Sequence, residues 1–387
     1  MNLFDRLNNE IKKKRCTLLG VGPMTKNVVD ASINIANKSN FPLILIASRR
    51  QIECNENGSG YVENWDTETF SEYVKSKTKN DNLILARDHG GPWQGNFDKE
   101  KNYKIKDAMN AAKVSFMKDI DCGFKIIHID PSIDLHKKLN QDEILNRVFE
   151  LYEFCCDYSK KKNKEVLFEI GTEEQSGTTT SDYDLEYTLD QMKNFCDKKK
   201  LPFPSFVVIQ AGTKVLETEN VGTFELPYRI DNEIPVEIQL LKSIDICNKY
   251  NILMKEHNTD YLTTDSLNWH PKLGIHSANV APEFGVAETR EIIKLFEKMN
   301  MNDEKQKFLK ISYNSLKWKK WLKKNSKTSF FEKSIISGHY ILAKKENKEL
   351  LKNLEEKMRF KKLNLNKILQ KKISETIFRY ISSFRLK

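Results

Sequence analysis

Between residues 17 and 280 the chain alternates short apolar, β-rich runs with amphipathic stretches, and the runs number eight. They lie at Thr17 to Met24, Pro42 to Ser48, Asn82 to Asp88, Phe124 to Asp130, Glu165 to Gly171, Ser205 to Ala211, Asn251 to Glu256 and Leu273 to Val280. Successive starts are mostly 25 to 45 residues apart, the length of one strand, one helix and two loops in a repeating βα unit. The stretches Thr67 to Lys77, Asp107 to Asp119, Gln141 to Lys160, Ser181 to Lys198, Val236 to Tyr250 and Ala287 to Met299 carry apolar residues at helical spacing. Eight such units predict an α/β chain closed as a (β/α)8 TIM barrel over residues 1–300, followed by a helical C-terminal extension. A doubly wound open sheet is the rival. It usually carries a glycine-rich phosphate turn after its first strand, whereas Gly20-Val21-Gly22-Pro23 lacks the third glycine and runs into proline.

Composition fits a folded protein: 39% of the 387 residues are apolar and 30% charged. The net charge of +10 is unevenly placed, because residues 301–387 hold 24 Lys and Arg against 8 Asp and Glu, leaving the first 300 residues at −6. That basic extension carries Trp318, Trp321, Phe330, Phe331, Phe360, Phe378, Tyr380 and Phe384, so an anionic membrane surface or nucleic acid comes to mind. Helices laid across the barrel, or a homo-oligomer contact, place the aromatics inward and the lysines in water, and this reading is preferred. No nucleic-acid partner is expected, and Leu363 to Lys387 has the better case for a membrane surface. Apolar runs such as Phe41 to Ala47 fall short of the about 18 residues of a spanning helix, and the start MNLFDRLNNEIKKK has no apolar signal core. A cytoplasmic address is therefore expected. The seven cysteines form no CxxC pair and read as reduced.

In such a barrel the chemistry gathers at the C-terminal ends of the strands. The predicted ends are rich in polar residues: Arg87-Asp88-His89-Gly90-Gly91, His128-Ile129-Asp130-Pro131-Ser132, Glu169-Ile170-Gly171-Thr172-Glu173-Glu174, Lys255-Glu256-His257-Asn258 and His276-Ser277-Ala278-Asn279. Four of seven histidines fall there. His89, His257 and Glu169, with His128, supply the imidazole and carboxylate ligands that Zn2+ or another divalent metal accepts. Such an ion polarises a ketose carbonyl, and Asp88 beside His89 is placed for proton transfer to or from a sugar hydroxyl. The plain reading of His128, flanked by Ile127 and Ile129, is a core histidine, while Glu169 at an apolar strand end acts as ligand or base. Lys214 and Lys255 open a metal-free Schiff-base route, although an ion pair or an anion contact is simpler for both. Among Arg49, Arg50 and Arg87, Arg50 is the preferred contact for a phosphate or carboxylate, and Asn279 is a further substrate-binding candidate.

Several stretches together resemble the class II sugar-bisphosphate aldolase superfamily, most closely the tagatose-bisphosphate aldolase large-subunit branch. PLILIASRRQIECNENGSGYVENWDTETFSEYV (42–74) is similar to the branch's second strand and glycine-tyrosine loop, and LARDHGGPWQGN (85–96) to its Asp-His-Leu-Gly-Pro motif. GFKIIHIDPS (123–132) resembles a fourth-strand segment ending in Ile-Asp-Gly-Ser, FEIGTEE (168–174) the branch's Ile-Gly-Thr-Glu, and KISYNSLKWKKWL (310–322) its tail. The resemblance, over residues 15–340, implies that Asp88 is the catalytic acid or base and that His89 and His257 are metal ligands. Two departures stand against it. Catalytic aldolases have a histidine after strand six where this chain has Gly212-Thr213-Lys214, and their phosphate-cradling His-Gly-Gly-Ser-Gly loop is replaced by His257-Asn258-Thr259-Asp260-Tyr261, whose acidic Asp260 suits a phosphate poorly.

Three functions follow from these features. The first is a metal-dependent carbohydrate enzyme acting on a ketose or sugar phosphate by aldol cleavage or epimerisation. The second is a non-catalytic partner subunit that stabilises a tagatose-bisphosphate-type aldolase. The third is a carbohydrate-binding scaffold tethered by its basic tail.

Overall fold

The eight apolar runs become eight parallel strands: β1 (Leu18–Val21), β2 (Leu43–Ser48), β3 (Leu83–Gly90), β4 (Ile126–Ile129), β5 (Leu167–Ile170), β6 (Phe206–Ile209), β7 (Leu253–Glu256) and β8 (Ser277–Val280). Each pairs with the next, and β8 pairs back onto β1, with Leu18 opposite Ser277, closing the barrel. This computed structural model describes residues 1–171, 179–225 and 234–387; Thr172, Glu173 and Glu174 of the fifth-strand motif lie outside the described residues. The runs are apolar on both faces because a barrel strand is covered outside by helices and inside by its opposite strands. Accordingly β1, β4, β5, β7 and β8 are buried at every position.

All six predicted helices are present, as Thr67–Lys77, Ile105–Cys122, Gln141–Lys161, Asp182–Lys199, Val236–Lys249 and Pro282–Lys298. Lys26–Lys38 and Thr264–Leu273 complete the outer ring. Their starts follow the expected chemistry of helix N-termini: Asp66 caps the amide of Thr69, and Asn140 forms a reciprocal capping box with Glu143.

Helices at both ends of the chain are built into the barrel. The first, Leu3–Lys14, buries Leu3, Leu7 and Ile11; the Leu3 amide donates to Glu165 and Arg6 to the Asp81 carbonyl, both just ahead of a strand. It therefore lies at the end of the barrel opposite the strand C-termini. The last, Leu365–Ser383, packs against Lys26–Lys38 and Pro282–Lys298, and its Ile373, Ile377, Tyr380 and Ile381 belong to the main core. Asn302–Asn314, Phe330–Gly338 and Lys345–Phe360 build a second apolar cluster with Pro282–Lys298, centred on Phe296, Phe308, Ile341 and Leu354. Of the tail's aromatics Trp318, Tyr380 and Phe384 are buried, whereas Phe330, Phe331, Phe360 and Phe378 stay exposed. Among the described residues no helix is long and apolar enough to cross a membrane.

One expectation is corrected. His276 precedes β8 instead of ending it, and its Nδ1 accepts the Met254 amide at the far end of the barrel from Asn279. The predicted run began too early because Leu273 ends a helix and Gly274, at φ +90°, turns the chain into the strand.

The packing of the last helix predicts that Ile377→Ala, at a fully buried position, costs about 2–5 kcal/mol, while Phe378→Ala, 40% exposed, costs within about 0.5 kcal/mol. Urea unfolding of both variants checks this.

Candidate active site

A cavity of about 310 Å³ opens at the C-terminal ends of the strands. Its floor is made by Asp88 and His89 of β3, His257 just after β7 and Asn279 of β8. Neighbouring residues of a regular strand point to opposite faces, yet Asp88 and His89 both line the cavity. The reason is a break in β3: its register with β4 shifts between Arg87 and Gly90, and His89 takes a left-handed φ of +42°. Such a φ is uncommon for a residue with a Cβ and marks backbone held by its surroundings. Gly90 permits it, since a Cβ there would fall 2.3 Å from the Phe116 ring and 2.6 Å from the His128 carbonyl.

His89, His128 and His257 converge, each offering a ligand nitrogen, and these atoms lie within 4.8 Å of one another. His89 Nδ1 is 2.7 Å from Asp130 Oδ2, and His257 Nε2 is 3.2 Å from Glu169 Oε1. A lone pair facing a carboxylate is repelled, so each of these outer nitrogens carries the proton. That tautomer leaves His89 Nε2 and His257 Nδ1 facing each other at 3.3 Å. Imidazoles whose far nitrogen is held by a carboxylate are the usual arrangement of metal-binding histidines. Burial opposes a charge on His89, but Asp88 and Asp130 raise it to about 9. Burial lowers His257 to about 3, with Asp88 opposing and the His89 and Lys255 charges assisting. Without metal, the His89 proton therefore bridges the two inner nitrogens, where a divalent cation can take its place. The donor set fits such an ion.

His128 is placed differently. It is buried and neutral, with its pKa pushed down to about 3 by burial, and its Nδ1 accepts the His89 amide at 3.1 Å. Its Nε2 is buried without a partner. His128 thus both supports the strained His89 backbone and stands within ligand reach.

The other predicted residues divide. Asn279 bridges the site, its Nδ2 donating to Asp88 Oδ1 at 3.1 Å and lying 3.0 Å from His257 Nε2. Arg50 lines the cavity wall, its Nε donating to the Gln94 carbonyl. Glu169 and Lys255 lie beneath the floor, both buried and paired at 2.6 Å. Lys255 therefore neutralises Glu169 rather than reaching a ligand. Lys214 does not line the cavity; it leads into the small hairpin of Val215–Leu216 and Glu219–Asn220. Arg49 and Arg87 are buried in ion pairs with Glu53 and Asp98 and with Asp119.

Sequence reasoning placed Asp130 and Ser132 at a strand end and Gln94 in a motif but gave them no role; they work as one unit. Asp130 holds His89 and accepts from Gln94 Nε2 at 2.8 Å and from the Ser132 hydroxyl at 2.5 Å. The Ile-Asp-Pro-Ser ending of the fourth strand was the available signal. With Tyr61 of the loop after β2, the cavity's outer wall is formed by Lys320, Trp321 and Tyr340, which sequence reasoning did not place there. Nothing local marks residues from a distant helical extension as neighbours of a barrel mouth.

The family described as D-tagatose-1,6-bisphosphate aldolase subunit GatZ/KbaZ-like matches residues 3–304. Among solved structures, the chain is similar to a probable tagatose 6 phosphate kinase from Sinorhizobium meliloti 1021, with 15% identity and a TM-score of 0.75 over 95% of this chain and 100% of that one. A fructose-bisphosphate aldolase from Campylobacter jejuni shares 12% identity at TM-score 0.53 over 100% of this chain and 94% of that one. A fructuronate-tagaturonate epimerase, UxaE from Cohnella laeviribosi, shares 11% at TM-score 0.53 over 96% and 81%. At these identities the likenesses speak for the fold alone. A search of curated proteins finds no match.

Breaking the buried pair beneath the floor by Lys255→Met leaves Glu169 buried without its counter-charge, at an expected cost of about 3–5 kcal/mol. Adding Glu169→Gln recovers part of that loss, which chemical denaturation of the single and double variants measures.

Proposed function

The chain belongs to the D-tagatose-1,6-bisphosphate aldolase subunit GatZ/KbaZ-like family, and from that premise we propose that it is a metal-dependent carbohydrate enzyme acting on a ketose or sugar phosphate. The observation that carries this reading is the pair of imidazoles held from behind by Asp130 and Glu169, with inner nitrogens facing each other beside Asp88. His89 Nε2 and His257 Nδ1 would hold zinc or a similar ion, and His128 would join them as third ligand only by releasing the His89 amide from its Nδ1. When bound, the ion supplies positive charge that polarises a ketose carbonyl and steadies negative charge developing beside it. Asp88 moves the proton: Asn279 fixes its Oδ1 at 3.1 Å, which leaves Oδ2 to face a substrate hydroxyl. Glu169 is a positioning residue, since it reaches the cavity only through His257. Aldol cleavage and epimerisation both fit this arrangement of carbonyl, acid-base and anion-stabilising groups.

A second reading, a stabilising subunit without turnover of its own, draws on the segment after β6. There Thr213 donates its hydroxyl to the His257 carbonyl at 2.8 Å, so this side of the site carries a backbone support where catalytic relatives of the resemblance carry a histidine. The family's own description as a subunit points the same way.

Elemental analysis of protein purified without chelator separates the two. The enzyme reading expects near one divalent ion per chain, lost in His89→Ala and in His257→Ala. It further expects Asp88→Asn to keep the ion while ketose turnover falls by about 10²-fold or more. Protein that stays folded and takes up no zinc, cobalt or manganese supports the subunit reading instead.

A further inference from the structure

The common phosphate site of this barrel architecture lies at the loops after the seventh and eighth strands, beside a helix N-terminus. In this chain that place is filled from within. Asp260 Oδ1 accepts the Ala281 amide at 2.9 Å and the Glu283 amide at 2.8 Å, at the start of the helix Pro282–Lys298. Burial, with Glu283 nearby, raises Asp260 to about 8, and charged or protonated it still occupies both N–H groups. Those two amides are therefore not free to receive an anionic substrate group.

Across the mouth the balance is opposite. Arg50 and Lys320 line the same cavity, and among the described residues no carboxylate lies within ion-pair distance of either. The cavity's own acids are engaged: Asp88 with Asn279, Asp130 with His89, Gln94 and Ser132, and Asp260 with the two amides. Lys320 belongs to the short turn Lys319–Trp321 of the extension. The Glu217 amide, in the hairpin after β6, donates to the Trp321 carbonyl at 2.6 Å, and Lys323 pairs with Glu219, so the turn is anchored over the mouth. The Lys320 ammonium rests on the Trp321 and Tyr340 rings, 4.5 and 5.3 Å from their centroids. Desolvation, with Arg50, Lys317 and Lys99 adding repulsion, depresses Lys320 well below the ordinary lysine range. An arriving anion relieves that repulsion.

We propose that Lys320, reaching in from the C-terminal extension, and Arg50 together form the subsite for the anionic group of the substrate, which makes that substrate an anionic ketose. The inference rests on the reading of the site as a sugar site, but its chemistry is independent of the metal. The anionic group is either a phosphate ester or a carboxylate.

Calorimetric titration of the full chain, loaded with zinc, with inorganic phosphate, D-galacturonate and neutral D-tagatose tests it. At least one of the two anions is expected to bind, and Lys320→Met and Arg50→Met are each expected to weaken it by about tenfold or more while changing D-tagatose affinity less than about twofold. Which anion responds distinguishes phosphate from carboxylate. Lys320→Gln provides a second neutral variant should the first fold poorly. Failure of both anions to bind the parent protein, or unchanged anion affinity in the variants, overturns the proposal. Metal content of the same samples keeps the outcomes apart: loss of anion binding in variants of a metal-free protein upholds this subsite while sinking the metal reading.

Discussion

Everything at the barrel mouth depends on two carboxylates standing behind two imidazoles. Asp130 and Glu169 decide which nitrogen of His89 and His257 carries a proton, and so which nitrogen faces the cavity. Glu169 can sit fully buried under the histidines because Lys255, on a neighbouring wall of the barrel, reaches it at 2.6 Å. Remove the ammonium and a fully buried carboxylate is left without its counter-charge. Support thus runs from Lys255 through Glu169 to His257 on one side, and from Gln94 and Ser132 through Asp130 to His89 on the other.

Strand geometry sets the second condition. A straight β3 would send Asp88 and His89 to opposite faces, giving the site one of them and the surrounding helices the other. The register shift and the left-handed His89 turn both inward, and the His89 amide then meets His128 Nδ1. The same irregularity therefore gathers the proton-transfer group, one ligand and the histidine that steadies the backbone.

The barrel was legible because its signal is periodic and local: eight apolar runs at regular spacing leave few other closed arrangements. Asp88, His89, His257 and Asn279 were legible for a related reason, since strand ends of a barrel converge wherever the strands do. The depths of Lys255 and Glu169 were not, because a strand's sequence does not say which inward side chain stops below the cavity floor. Asp260 stood out in the sequence as an acid near a phosphate loop, but its two amide partners belong to another element and emerge only with the fold. Lys320 was hidden among many lysines of a basic tail. Its two supporting rings, Trp321 and Tyr340, become a wall only when the extension lies across the mouth.

The last helix carries a consequence for how the chain folds. Leu365–Ser383 is wedged between Lys26–Lys38 and Pro282–Lys298, and the Thr17 amide, at the threshold of β1, donates to the Phe384 carbonyl. Contacts between the first and last elements therefore complete the outer layer, and such long loops must close before those contacts return any energy. The βα units can pair in sequence order while the groove between two of their helices still exposes apolar surface. Until the last helix covers that groove its apolar side chains stand open to other chains, so the seam between the chain's two ends is where a truncated or half-folded copy would expose sticky surface.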